Sequence, residues 1–449
     1  MGAASAGASA SPAAPAPVVR PWKPAGISSP KFESHPAFDP KTGDLYFVRS
    51  SPQFTGWRIL VSRCTEAGWS APAPPAFAGD GVEADPFFTP DGRSLYFIST
   101  RSLDGAKRKD LDIWRVARGE SGSWGTPEHL PEPVNSPGGE WFPRPSVDGW
   151  LYFGSDRPGG LGATDIWRAR ADSKGKWTVE DLGPTVNTPG DEYEPLPSPD
   201  GSRMILMADG DLYETSWTAT GWSPRTRLGP EVNQEGMKVG ALFSPSGRSL
   251  LFARDTKAPD SGEFFVWYEH GPEAWPPECA PAATASPSRR SSPPDRETDR
   301  RELVEFIMRR IGIADRAWNA RDARLMFPAD PTGGADSGIV VRTPDGRPIS
   351  RAANIADLQR RMDMTTRIDT MRTVVDSVYF SAPDSAVAFT SQLFVRMMKL
   401  PGQPERQRIS SVIHRQQFAR GPFGWDIAGP VEELNPKARW ADEKPVEKK

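Results

Sequence analysis

Between about residues 30 and 280 the apolar residues fall into short runs of four to six, with polar turns between them. After residue 300 the pattern first takes a helical period and then a period of two. In the first stretch the same passage returns at a spacing of about fifty residues: ESHPAFDPKTGDLYFV from Glu33, EADPFFTPDGRSLYFI from Glu83, EWFPRPSVDGWLYFGS from Glu140, EYEPLPSPDGSRMILM from Glu192 and MKVGALFSPSGRSLLFA from Met237. Each copy reads as a short strand, a Pro/Asp-Gly turn and a second strand, because Asp-Gly supplies the positive φ that a tight hairpin needs. A third strand follows (DIWRV from Asp112, DIWRA from Asp165, DLYET from Asp211), and a fourth element opens on tryptophan, as in SWGTPEHL, KWTVEDLG and GWSPRTRLG. Four antiparallel strands per unit, with a recurring aromatic, predict the blades of an all-β propeller. In the fifth copy Met237 stands at the glutamate position and Gly240 at the proline position.

The second stretch predicts an α+β domain. In ELVEFIMRRIGIADRAWNARDARLMF, residues Leu303, Phe306, Ile307, Ile311, Ala314 and Trp318 recur at helical spacing. A second helix, ISRAANIADLQRRMD, follows a Pro-Asp-Gly-Arg turn. Period-two strands then run through TVVDSVYFSAPDSAVAFTSQLFVRMM and RISSVIHRQQFARGPFGWDIAG. The expected boundaries are a disordered Ala/Ser/Pro-rich terminus (1–29), the propeller (30–279), a Pro/Ser/Ala linker (280–297), the α+β domain (298–430) and a charged tail (431–449).

The repeat with E-x-x-P-x-x-S-P-D-G-x-x-L-Y-F, followed by S-D-R-P-G-G-x-G-x-x-D-I-W-R, resembles the TolB-type propeller repeats of bacterial envelope and secreted proteins. The resemblance implies six blades and an exported location, periplasmic or secreted. Five copies are visible, so five blades are expected, the ring closed by PWKPAGISSP pairing with the last blade. A sixth degenerate blade is the alternative. The passage AWNARDARLMFPADP and the closing strand with FGWDI (Phe423 to Ile427) resemble the nuclear transport factor 2-like superfamily, which includes SnoaL-like proteins. That resemblance implies a cone with a curved antiparallel sheet and an apolar pocket, and Trp318, Asp322, Tyr379, Gln392, Arg396 and His414 are its candidate residues.

Composition narrows the chemistry. The chain has 48 prolines, 41 glycines and 16 tryptophans, which fits short strands joined by turns. No run of about 18 apolar residues predicts a membrane span. Residues 281–449 carry 28 basic and 22 acidic side chains, leaving 27 and 36 in residues 1–280, so the first part repels a phosphate backbone and no nucleic-acid partner is expected. RPGGLGATD leads into a strand, with no helix whose N-terminus could take a phosphate. No G-x-S-x-G elbow marks a serine peptidase. The AGASA-SPAAP passage is like the small-residue end of a secretory signal, without the charged and apolar segments that precede one.

Glu33, Glu83, Glu140 and Glu192 occupy one position in four units. They are candidates for calcium binding or, as a pair, for glycoside hydrolysis. The competing reading is that a residue recurring in every blade bonds turn backbone and serves the blade, because catalytic carboxylates need different environments. Cys64 and Cys279 are the two cysteines of the chain, which excludes zinc sites built on cysteine pairs. Ring closure makes their blades neighbours, and a disulfide and two buried thiols both remain open. His414 alternates with Ile413 and Arg415, so periodicity leaves its face open. The expected function is non-catalytic binding without a cofactor. On that reading the propeller meets a protein, peptide or glycan, and the second domain supplies a small-molecule pocket or a homodimer interface. One alternative is an isomerase-, cyclase- or hydrolase-like enzyme in the second domain using His414, Asp322 or Tyr379; the other is a propeller glycosidase.

Overall fold

The computed structural model describes residues 16–279 apart from 66, 104, 107–109, 120, 173, 219–220, 257–262 and 270–272, and residues 296–441 apart from 327–340, 343–347, 350, 422–423 and 430. The linker over 280–295, the Pro-Asp-Gly-Arg turn, Phe423 and the terminus before residue 16 lie outside the described residues.

Among the described residues the first part forms five antiparallel blade sheets and one separate two-stranded hairpin. Blade 1 contains Phe32–Phe38, Leu45–Ser50 and Arg58–Ser62, with the hairpin Cys64–Thr65/Gly68–Trp69 beyond them. Blade 2 contains Glu83–Phe88, Ser94–Ser99, Asp112–Ala117 and Glu128–His129; blade 3 contains Glu140–Pro145, Leu151–Ser155, Asp165–Ala171 and Trp177–Asp181. Blade 4 is built on Glu192–Pro197, Arg203–Ala208 and Asp211–Thr218. Blade 5 contains Lys238–Phe243, Ser249–Arg254 and Glu263–Tyr268, and its outer strand is Val18–Trp22 from the start of the chain. The first strands of the blades touch in cyclic order, 1 to 2 to 3 to 4 to 5 and back to 1, which makes a propeller-type ring. Val18–Trp22 falls inside the segment expected to be disordered. It is ordered because five of its residues pair with Tyr268 through Phe264 and complete an otherwise open edge.

The predicted turns are hairpins with glycine at positive φ: Gly92 (64°), Gly149 (78°), Gly201 (69°) and Gly247 (72°). Second strands such as Leu95–Phe97 and Leu151–Phe153 are fully buried between blades. Asn135, Asn187 and Asn233, each after a valine, take the backbone amides of Ile113, Ile166 and Leu212 at 2.8–2.9 Å and tie one blade's third strand to the loop leading to the next. Cys64 and Cys279 form a disulfide with a Cα–Cα distance of 5.5 Å, which fastens the segment after blade 5 to blade 1.

The second part packs helix α1 (Arg296–Ala320) and helix α2 (Arg351–Asp363) on a half-barrel of long strands. These are Thr365–Ala382, Ser385–Met398, Arg406–Gly421 and Gly424–Ile427 in meander order. Leu303 and Ile307 of α1 bury against Val378, Ala388 and Phe418. Glu432–Trp440, read above as tail, is a strand paired with Arg406–Gly421 in which Trp440 receives Arg406 and Arg408 on its ring. Its weak apolar pattern hides it, because one partner strand and two cation–π contacts hold it. No helix among the described residues is long and apolar enough to cross a membrane.

Candidate functional site at the propeller axis

Every innermost strand carries a bulge at the same place, where the register with its neighbour slips. The residue in the bulge has positive φ in all five blades: His35 (49°), Asp85 (55°), Phe142 (54°), Glu194 (52°) and Gly240 (64°). This conformation costs an L-residue about 1–2 kcal/mol and recurs because the ring imposes it. The register also corrects the alignment of the fifth copy: Lys238 stands where the other blades have glutamate, and Gly240 holds the bulge. A Cβ on Gly240 would run into the His35 backbone, so the fifth blade gives its place to the histidine.

Three of the bulge residues meet. His35 Nε2 lies 3.3 Å from Asp85 Oδ1 and 3.6 Å from Glu194 Oε1, with all three side chains buried. Each carboxylate is anchored by the bulge of the following blade: Asp85 Oδ2 accepts from the Phe142 amide at 3.0 Å, and Glu194 Oε2 from the Gly240 amide at 2.7 Å. His35 Nδ1 pairs with Ser34 Oγ at 2.8 Å, and its ring stacks on Phe142 at 5.6 Å and 14°. Two residues further along each strand, Ala37, Phe87, Arg144, Leu196 and Leu242 occupy one equivalent position. Arg144 is its charged member. It is buried over the Phe87 ring at 4.7 Å, hydrogen-bonds the Pro143 carbonyl at 3.4 Å and leaves its Nε without a partner. Burial raises the Asp85 carboxyl above its usual range, opposed by the charges of His35 and Arg144. Burial likewise lowers Arg144, opposed by Asp85 and Glu194. Burial, with Glu194 nearby, pushes the Tyr193 hydroxyl up to about 12.

Below this charged level a cavity of about 310 Å³ is lined by Ala37, Phe87, Leu196 and Leu242, by the strand ends that follow them, and by Trp275 and Trp425. All five blades contribute to it, and Trp425 brings the second domain to its wall. Above the charged level a small cavity lies among His35, Asp85, Phe54, Trp57, Trp141 and Phe142.

The repeated glutamates stand elsewhere. Glu33 binds Arg49 Nε at 2.7 Å, Glu140 binds Arg157 at 2.9 Å, and Glu83 and Glu192 are paired with Arg101 and Arg225. Each also bonds the turn that precedes its strand, as Glu140 does with the Ser136 amide and hydroxyl. Each glutamate is thus engaged by the turn of its own blade and by an arginine of that blade. Burial raises Glu33 and Glu140. In blade 5 Lys238 substitutes for the pair, reaching the Gln234 carbonyl and Asp211. Among the described residues no group of three His, Cys, Asp or Glu is placed to hold a metal ion.

The candidates of the second domain do not converge on one pocket. Trp318 is edge-on to Phe394 at 4.6 Å with Arg396 over its face at 5.0 Å, a packed core contact in which burial and the neighbouring Arg361 and Arg408 hold the Arg396 guanidinium down to about 10. Gln392 bonds Thr373 and lines a separate polar groove with Ser391 and Asn435. His414 pairs across the strands with Thr390 and Glu433, its basicity lowered by burial. Tyr379 is 61% exposed. Asp322 turns away from the domain to meet Arg170 of blade 3 at 3.3 Å.

These features define a propeller-type ring with a polar axis, joined to a half-barrel domain. Comparison with protein-family descriptions and with curated proteins finds no match. Among solved structures the chain is similar to a protein described as a TolB from Agrobacterium tumefaciens (20% identity, 50% of this chain and 71% of that one, TM-score 0.34). It is similar to a thermostable family-43 glycoside hydrolase (12%, 56% and 97%, TM-score 0.36) and to a periplasmic gluconolactonase of Pseudomonas aeruginosa (10%, 91% and 98%, TM-score 0.24). At such scores these likenesses carry no functional argument, and function has to be argued from the site.

Proposed function

We propose that the protein is a non-catalytic binding protein that holds an apolar ligand group at the end of the propeller channel. The observation that carries this reading is the cavity of about 310 Å³ to which all five blades and two tryptophans contribute. A concave apolar site of this size suits a small hydrophobic molecule or an apolar side chain of a peptide. The second domain serves as a wall through Trp425, and the nuclear transport factor 2-like resemblance belongs to this reading. So does a homodimer contact through its sheet, supported by the exposed Val374 and Leu393. Export to the periplasm or beyond is supported by the Cys64–Cys279 disulfide, because such bonds persist in oxidising compartments. An enzyme centred on His414, Asp322 or Tyr379 has less support, since those residues share no cavity.

Nile red titrated into the full chain tests the reading. Saturable fluorescence gain from one site is expected, weakened at least tenfold by Ala37→Phe, which fills the cavity, at an unchanged circular dichroism spectrum. Equal binding by that variant, or no saturable binding, defeats the reading.

A further inference from the structure

The helix-facing side of the half-barrel carries charge that its surroundings do not balance. Across neighbouring strands one row reads Ile368, Arg396, Arg408 and Trp440 in register. Residues directly opposite on antiparallel strands share a face with their Cβ atoms about 4.5–5.5 Å apart, where like charges destabilise the sheet. Arg396 lies over the ring of Trp318 in α1 at 5.0 Å and over Phe394 at 4.5 Å, which puts the row under the helices. Arg408 lies over Trp440 at 4.9 Å. From the last turn of α2, Arg361 adds a third guanidinium, near enough for its charge to act on Arg396.

One carboxylate serves these three groups: Asp357, which pairs with Arg361 at 2.6 Å. Arg396 and Arg408 have no ion pair among the described residues, and Arg396 Nε is closed off from solvent without an acceptor. Held down to about 10, the Arg396 guanidinium still keeps its proton at neutral pH. Two positive charges are therefore left uncompensated side by side. A partly buried charge without a counterion is costly, and a bound anion removes the cost. Guanidinium forks fit the oxygens of a phosphate group, whose charge of about −1.5 to −2 at neutral pH matches the pair. Arg408 is partly exposed and Arg361 exposed, so the cluster is open to solvent on their side.

We propose that this end of the half-barrel binds a phosphate group, held between the guanidiniums of Arg396 and Arg408 with Arg361 at its rim. The site shares no residue with the cavity at the propeller channel, and it stands or falls without the reading given for that cavity.

Calorimetry and phosphorus NMR on the full chain test it, with inorganic phosphate as the probe and acetate and chloride as controls at matched ionic strength. Saturable phosphate binding is expected, with no saturable response to either control. Arg396→Met keeps an unbranched chain over Trp318 and removes a like charge, so it should weaken phosphate binding at least tenfold at an unchanged or higher Tm. Arg408→Gln, at a partly exposed position, should weaken it at least fivefold and decides the matter if Arg396→Met does not fold. No saturable phosphate binding, equally tight binding of acetate, or phosphate binding unchanged in either folded variant overturns the proposal.

Discussion

Two sets of carboxylates lie two residues apart along the same inner strands, and they do different things. Glu33, Glu83, Glu140 and Glu192 each close on an arginine and on the turn before the strand, one blade at a time. Asp85 and Glu194, in the bulge, point past their own blades to His35 and accept amides from the next blade. The lesson concerns repeats: the position that is glutamate in four of the five blades holds the blade, while the position that changes from His to Asp to Phe to Glu to Gly composes the site. Symmetry explains it. A site at the axis needs different groups from different blades, whereas a turn needs the same group every time.

The largest effect that would break this contrast is expected at Glu140. Glu140→Ala leaves Arg157 buried without its carboxylate and should cost about 3–5 kcal/mol in urea unfolding. Asp85→Asn should cost far less, because it relieves a like charge. Equal losses would mean that both sets are structural. Next, removing the disulfide with Cys64→Ser and Cys279→Ser should cost about 2–5 kcal/mol, read as a lower Tm. That change loosens the ring as a whole and should leave any axial binding affinity intact. Gly240→Ala should cost more than about 1 kcal/mol, from its φ of 64° and the approach of His35, and should weaken axial binding more than any blade glutamate variant of matched stability.

The smallest expected effect is in pH dependence. Burial raises the folded-state pKa of Asp85, so the folded protein keeps this proton to higher pH than the unfolded chain. The stability from that proton is fully present below the unfolded value near 3.8 and is lost as pH rises through the raised folded value. Urea midpoints measured across that window should therefore fall less steeply for Asp85→Asn than for the parent protein, and an identical slope would remove the buried-charge description of the axis.

Much of the fold was legible in the chain. The fifty-residue repeat, the Asp-Gly turns and the aromatic second strands predicted the blades, and the shift from a period of 3.6 to a period of two predicted helices before a sheet. The repeat drew attention to the glutamates because they recur, although what mattered at the axis was the irregular residue just before each proline. The Val-Asn pairs at 134–135, 186–187 and 232–233 were a second repeated signal, visible but short. Val18–Trp22 was legible only in part, through the Pro21–Trp22 start of the segment expected to close the ring, and Glu432–Trp440 was hidden, because an edge strand depends on its partner more than on its own pattern.

Sequence by itself determined where the strands, turns and helices lie, since those follow from hydrophobic period and from the φ preferences of glycine and aspartate. Only the tertiary structure decided which residues meet. His35, Asp85 and Glu194 are separated by about fifty and then about a hundred residues, and ring closure brings their tips within 3.3–3.6 Å. The second domain adds Trp425 to the far end of the same channel. No local preference encodes either meeting, because both depend on how five similar blades close around a common axis.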